Sequence, residues 1–304
     1  MPTKRSAKPY AKKFAKKAAK ISAEPSATSS AASTRSFRLE LAGQSIPVNS
    51  IEGGAAVGVV VNDPPTMSAF RGKHLSGTRF EPIAIEAAFN SARPLFDLVG
   101  NAWKGTRPQA NGALIAADVS GRPVSRREFV RALVAEATVP TLDGTSHDPA
   151  IMTVRLAPQQ TSDVAPPATL PAVPRPPAPS LVSNFRLSIP GLDCTKVIKI
   201  DSFTVKPQAN VVEFPDLRIE LSPVSGATWR DFYRTMVIEG HSTPMDEKTG
   251  TLELLSANLT QVVATITFFN LGIFRLDETL PDPTSGLTRL IAGFYCERME
   301  LAIS

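Results

Sequence analysis

Ser146, His147 and Asp148 stand side by side and supply the three residue types of a nucleophilic triad. A triad works only when the base and the orienting acid converge on the nucleophile from separate elements. Three adjacent loop residues cannot converge in that way. Asp143 before Gly144 and Asp148 before Pro149 therefore read as turn formers. The chain's three histidines, His74, His147 and His241, have no second histidine or cysteine at ligand spacing. Cys194 and Cys296 form no CxxC pair and are too few for a disulfide framework, so they read as reduced, partly buried thiols. Glu86 and Glu220 each close an apolar run, but paired carboxylates catalyse only when they share a pocket. They occupy equivalent places in two separate segments, which suits strand-end capping or an inter-subunit contact. No GxSxG, HExxH, GxGxxG or P-loop pattern occurs. The expectation is a chain that is not an enzyme and holds no metal and no cofactor.

Binding chemistry is concentrated at the N-terminus. Lys4, Arg5, Lys8, Lys12, Lys13, Lys16, Lys17 and Lys20 face only Glu24, which gives the first 24 residues a charge of +7. Of the chain's +5, the remaining 280 residues therefore carry −2. Tyr10, Phe14, Ala18 and Ile21 lie at near-helical spacing among these lysines. One reading is an amphipathic basic helix that docks on nucleic acid, an acidic partner or an anionic membrane face. The other is a largely disordered, solvated arm, residues 1–35, whose second half is small and polar like a linker. No run of about 18 apolar residues spans a membrane, and the lysines are not followed by the apolar stretch of a secretory signal.

The elements that must carry any function are strands. Residues 159–182 hold many prolines and alanines, a composition expected to run extended without joining a sheet. They separate 36–158 from 183–304, two stretches of nearly equal length. Ser36–Gly43 (SFRLELAG) answers Asn184–Gly191 (NFRLSIPG), each an alternating apolar pattern entering a turn. Ile51-Glu52 answers Ile200-Asp201, and Phe80–Glu86 answers Phe214–Glu220. A short helix follows in each, with Leu95, Phe96, Leu98, Val99 and Trp103 in one and Trp229, Phe232, Tyr233 and Met236 in the other. Hairpins then open at Gly112 and Gly250, return through 129–137 and 262–275, and a last strand closes each set at 151–156 and 290–301. The order strand–strand–helix–hairpin–strand is written twice.

Several of these stretches, taken in order, resemble a known family: Phe80–Ile83 (FEPI), Pro94–Asp97 (PLFD), Asn111–Asp118 (NGALIAAD), Glu128–Leu133 (EFVRAL), Val139–Asp143 (VPTLD) and Asp148–Val154 (DPAIMTV). The second half adds Ser183–Leu187, Gly250–Leu254, Asn270–Phe274 and Tyr295–Met299. Together they are similar to the tail-tube family of contractile phages. The resemblance implies a mainly β protein with flanking helices, made of two tandem tail-tube-like barrel or sandwich modules joined by a Pro-rich linker. It also implies a self-assembling ring of three or six chains stacked into a tube with a lumen, alongside sheath, baseplate or other tail proteins. The expected location is then a virion tail or the bacterial cytoplasm where such particles assemble. The basic arm and the Pro-rich spacer depart from an ordinary tube protein. They leave open a second reading, a non-enzymatic adaptor tethered through its arm to nucleic acid or an acidic partner. The long 62–79 segment, with Asp63, Pro64, Pro65, Gly72 and Lys73, is the loop expected to reach a neighbouring ring.

Overall fold

The computed structural model describes residues 36–64, 70–171, 178–208, 211–280 and 286–304. The N-terminal half runs through β1 (Ser36–Leu41), β2 (Gln44–Val48), β3 (Ser50–Gly53), β4 (Ala56–Asn62), β5 (Lys73–Phe80), β6 (Ile83–Ala88) and α1 (Arg93–Trp103). It continues with β7 (Ala110–Ala117), β8 (Pro123–Val139), β9 (Leu142–Asp143), β10 (Ile151–Ala157) and β11 (Gln160–Val164). The C-terminal half holds β12 (Phe185–Ser188), β13 (Val197–Ile200), β14 (Phe203–Pro207), β15 (Val212–Glu213) and β16 (Leu217–Leu221). There follow α2 (Ala227–Tyr233), β17 (Lys248–Leu255), β18 (Val262–Glu278) and β19 (Leu290–Ile303). The fold is mainly β, with a nearly closed, barrel-like sheet and, among the described residues, two α-helices.

The same pairing path occurs in both halves. β1, β7, β8, β10, β6 and β3 are neighbours in that order, and β12, β17, β18, β19, β16 and β13 follow the same order. The registers agree as well. Leu39 faces Leu114 as Leu187 faces Leu252, and Ile51 faces Ile85 as Ile200 faces Ile219. Gly112 faces Phe129 as Gly250 faces Phe268. Each glycine is required by a close approach: a Cβ on Gly112 would stand 2.1 Å from the Glu40 carbonyl oxygen, and one on Gly250 would stand 2.9 Å from Ile189.

Even the irregularities match. Two residues beyond Phe129 and Phe268, Arg131 and Asn270 adopt positive φ of 50° and 56°, each where its hairpin ladder slips by one residue. A bulge there lets a long strand bend from one sheet face to the next. Asn tolerates the left-handed region; an arginine there costs about 1 kcal/mol. Arg131 is steadied by its N–H, which donates to Asn111 Oδ1 at 2.8 Å.

The Pro-rich stretch differs from its expectation at its start. Gln160–Val164 pairs with β8 instead of running unpaired. Phe129 faces Thr161 as Phe268 faces Met299, so β10 and β11 together take the course of the single strand β19. Pro158 interrupts the former because it has no N–H to give the ladder; Cys296 stands at the matching place and continues it.

The described residues form one compact unit, and a continuous hydrophobic core runs through both halves. Trp103, Phe89, Phe96 and Phe129 anchor it on one side, and Trp229, Phe268 and Phe294 on the other. In α1, Leu95, Phe96, Val99 and Trp103 supply the buried face, with Pro94 in the first turn, where its missing N–H costs nothing. The second helix is shorter and runs into a π-helical turn, Arg234–Ile238.

Candidate assembly site

The residues with catalytic chemistry do not converge. Ser146 Oγ donates to Asp148 Oδ2 at 2.9 Å, a local turn bond of the expected kind. Asp143 Oδ1 accepts from the Thr145 N–H at 2.8 Å and its hydroxyl at 2.6 Å, and these bonds hold its carboxyl below the usual range. Glu86 accepts from Ser50 Oγ at 2.8 Å and Glu220 lies 3.7 Å from Arg289, each on its own strand ladder. Both cysteines are free thiols. Burial pushes Cys296 up to about 11 and also raises Cys194, which favours the thiol over the thiolate at both. Among the described residues no cluster of His, Cys, Asp and Glu could hold a metal, and no helix is long and apolar enough to cross a membrane.

What the strands do build is an interface between the two halves. Phe203, Thr204 and Val205 of β14 pair with Val139, Thr138 and Ala137 at the end of β8. The hydroxyls of Thr138 and Thr204 meet at 2.8 Å. Lys199 and Ile200 of β13 pair with Asp143 and Leu142 of β9, extending the C-terminal sheet by a strand from the N-terminal half. The Gly144 N–H donates to the Ile198 carbonyl at 2.8 Å, and the Ser202 N–H to Thr141 Oγ1 at 3.2 Å. Helix α1 lies on β19, closely enough that a Cβ on Gly100 would stand 2.7 Å from the Leu301 carbonyl oxygen. Trp103 meets Phe214 edge-on at 6.5 Å. Backbone pairing along exposed edges, backed by aromatic packing, is the chemistry of strand-addition interfaces.

The segment expected to reach a neighbour is strand at both ends, with Asn62 closing β4 and 73–79 lying in β5. β4 pairs with β5 from Ala56–Phe80 out to Asn62–Lys73, so 73–79 is strand and only 63–72 connects. Asp63 organises the end of the hairpin: its N–H donates to the Gly72 carbonyl at 2.9 Å, its carbonyl accepts from Arg71 Nε at 2.9 Å, and its Oδ1 lies 2.6 Å from His74 Nδ1. A Cβ on Gly72 would stand 2.1 Å from Asp63 Oδ2. Pro64 follows Asp63, and Lys73 opens β5 on the exposed surface. Val60, Leu75 and Phe70 stand out on this hairpin, exposed by 61%, 69% and 85%. Pro65 and the arm residues Lys4, Arg5, Lys8, Lys12, Lys13, Lys16, Lys17 and Lys20 lie outside the described residues.

A second exposed apolar group went unread in the sequence. Phe274, Leu280 and Ile238 are exposed, and Ile238 lines a groove of about 320 Å³ with Arg230 and Tyr233 of α2, Arg234 just beyond it, and Leu276 and Glu278 at the far end of β18. The signal available was the apolar alternation of β18, which carries Phe274 and Leu276 past the point where the hairpin partner β17 has ended at Leu271.

No protein-family model and no curated protein matches the chain. Among solved structures it is similar to chains of contractile injection systems. A chain of the anti-feeding prophage baseplate is 17% identical, covering 43% of this chain and 91% of its own, with a TM-score of 0.37. A chain of the extended sheath–tube complex of an extracellular contractile injection system, PVC, is 18% identical over 42% of this chain and 88% of its own, with a TM-score of 0.38. A chain of that system's sheath/tube terminator is 18% identical over 42% and 93%, with a TM-score of 0.37.

Proposed function

We propose that this chain is a structural, non-enzymatic protein of a phage-tail-like or contractile injection apparatus. It carries two copies of one ring-forming module and assembles into rings of three or six chains that stack around a lumen. The observation that carries this reading is the docking of one strand path on an equivalent one through β14 on β8 and β13 on β9. A contact between non-identical faces of equivalent modules is heterologous, and heterologous contacts generate rings when their rotation closes. The family resemblance of Phe80–Ile83, Asn111–Asp118 and Val139–Asp143 supports the same class. Sheath and baseplate proteins are the natural partners of such a ring, and the β4–β5 hairpin, with its exposed Val60, Leu75 and Phe70, is the element suited to reach the next layer. Native mass spectrometry and negative-stain microscopy of the purified chain test the reading. Species of three or six chains, or tubes, are expected; a monomer persisting at high concentration overturns it.

The +7 arm favours a second reading, an adaptor held to nucleic acid or an acidic partner. A gel-shift series in rising salt, with and without residues 1–24, tests it: a retarded, salt-sensitive band that needs the arm is expected.

A further inference from the structure

The contact inside the chain contains two different half-surfaces, and each has a counterpart whose matching edge no strand of the described residues takes. On the N-terminal side the half-surface is the end of β8: Ala137, Thr138 and Val139. Counting from the matched Phe129 and Phe268, its counterpart on β18 is Leu276, Asp277 and Glu278. Both segments use one edge in the same register, Thr138 facing Thr153 as Asp277 faces Ile291. The other edge of β8 takes β14, whereas among the described residues no strand pairs with the other edge of β18 there. Burial follows: Ala137 and Val139 are 0% exposed, whereas their counterparts Leu276 and Glu278 are half-buried and exposed.

On the C-terminal side the half-surface is β14. Counting from the matched Ile51 and Ile200, its counterpart is the start of β4, with Ala55 matching Thr204 and Ala56 matching Val205. The hairpin confirms the count, because Val57 faces Arg79 as Lys206 faces Glu213. β14 is held between β15 and β8, while β4 is held by β5 alone among the described residues. Val205 is fully buried and Ala56 is exposed. The helices repeat the contrast. Trp103 of α1 is covered by Phe214, whereas the groove beside α2, with Ile238 at 69% exposure, is open.

We infer that a second copy of this chain adds the start of its β4 to the end of β18, Ala55 opposite Asp277 and Ala56 opposite Leu276, with its Phe80 brought to the groove beside α2. This rests on the ring reading and names the strands that join one chain to the next. The occupant is a second copy because the shape that fits β18 is the one that already fits β8, and among the described residues the other version of that shape is the start of β4. The two surfaces differ, so each chain offers one and accepts the other.

Cross-linking tests the register. Residues opposite one another in an antiparallel pair have Cα atoms about 4.5–5.5 Å apart, within reach of a disulfide. Full-length Ala55→Cys and Asp277→Cys chains are mixed under mild oxidation. A covalent dimer is expected from the mixture only, absent from either variant alone and from Ala55→Cys mixed with Arg275→Cys. In parallel, Ala56→Glu is expected to leave the circular dichroism and melting of the free chain unchanged and to weaken association at least about tenfold, since it puts a carboxylate where Val205 is buried. Rings that form without the A55C–D277C cross-link, and that A56E leaves intact, overturn this pairing while sparing the ring reading. A chain that stays monomeric and uncross-linked at every concentration overturns both.

Discussion

The ends of β8 and β18 are the same strand in two situations. Both leave the hairpin through a left-handed bulge residue, and both slip register again further along, between Val134 and Glu136 on β8 and between Ile273 and Arg275 on β18. One then enters the interior with Ala137 and Val139, and the other carries Asp277 and Glu278 into solvent. Strand geometry is thus common property of both halves, while the residue types at the ends record what lies across the edge. The inner ladders differ in the same sense. Arg127 and Asp163 are joined at 2.7 Å across β8 and β11, where β18 and β19 carry buried Ile266 and Leu301. The apolar version sits under α1; the ionic version faces a shallow surface depression beside Ile51 and Leu114.

Exchanging the two strand ends gives the largest expected effect. Val139→Glu puts the residue of the open end into a closed one and should cost about 3–5 kcal/mol, because a buried carboxylate there has no partner. The reverse exchange, Glu278→Val, loses only the ion pair with Arg230 and should stay within about 1 kcal/mol. Urea denaturation of both variants reads the contrast; equal costs would mean that the two ends are not differently covered. Next comes Gly112→Val, expected to cost about 2–3 kcal/mol in the same assay, since the added Cβ meets the Glu40 carbonyl and the Phe129 ring.

A smaller effect of opposite sign comes from making the bulges alike. Arg131→Asn installs the residue found at Asn270 and should raise stability by about 0.5–1 kcal/mol by relieving the left-handed strain. Its melting temperature reads this directly, and a fall would mean that the arginine side chain holds more than its backbone costs. Smallest is a pH effect confined to the N-terminal half. The bond from Arg127 holds the Asp163 carboxyl below its usual value. A depressed carboxylate contributes stability above its unfolded pKa and loses it as pH falls through the folded value, here below about pH 4. Asp163→Asn should flatten the stability curve slightly in that range, and an unchanged slope would show that the pair contributes nothing.

Much of the secondary structure was legible in the residues. The alternation in Phe37–Leu41, Phe185–Leu187 and Ile83–Glu86 marks strands because one sheet face is buried and the other is not. The apolar spacing of Leu95, Phe96, Val99 and Trp103 marked α1 for the matching reason. The 62–79 segment misled because 73–79 is mostly charged, polar or small, yet it ladders with β4, and Ser76 Oγ donates a further bond to the Val59 carbonyl at 3.4 Å. β11 misled in the same way: its surrounding prolines hid a five-residue strand, Gln160–Val164, whose own residues have N–H groups to give.

Read alone, the residues place α1 and most of the long strands, the turns at Asp143 and Asp148 and the positive charge of the first 24 residues, and they contain no GxSxG, HExxH, GxGxxG or P-loop pattern. These follow from local rules: side-chain period, proline and glycine chemistry, and the spacing that ligands or triads require. Which edge meets which is a matter of packing in three dimensions. A backbone edge has the same donors and acceptors whatever its side chains, so nothing in Ala137–Val139 or Phe203–Val205 as text says that they pair. That pairing, and the open ends of β4 and β18 that answer to it, come from the three-dimensional placement of two equivalent strand paths side by side.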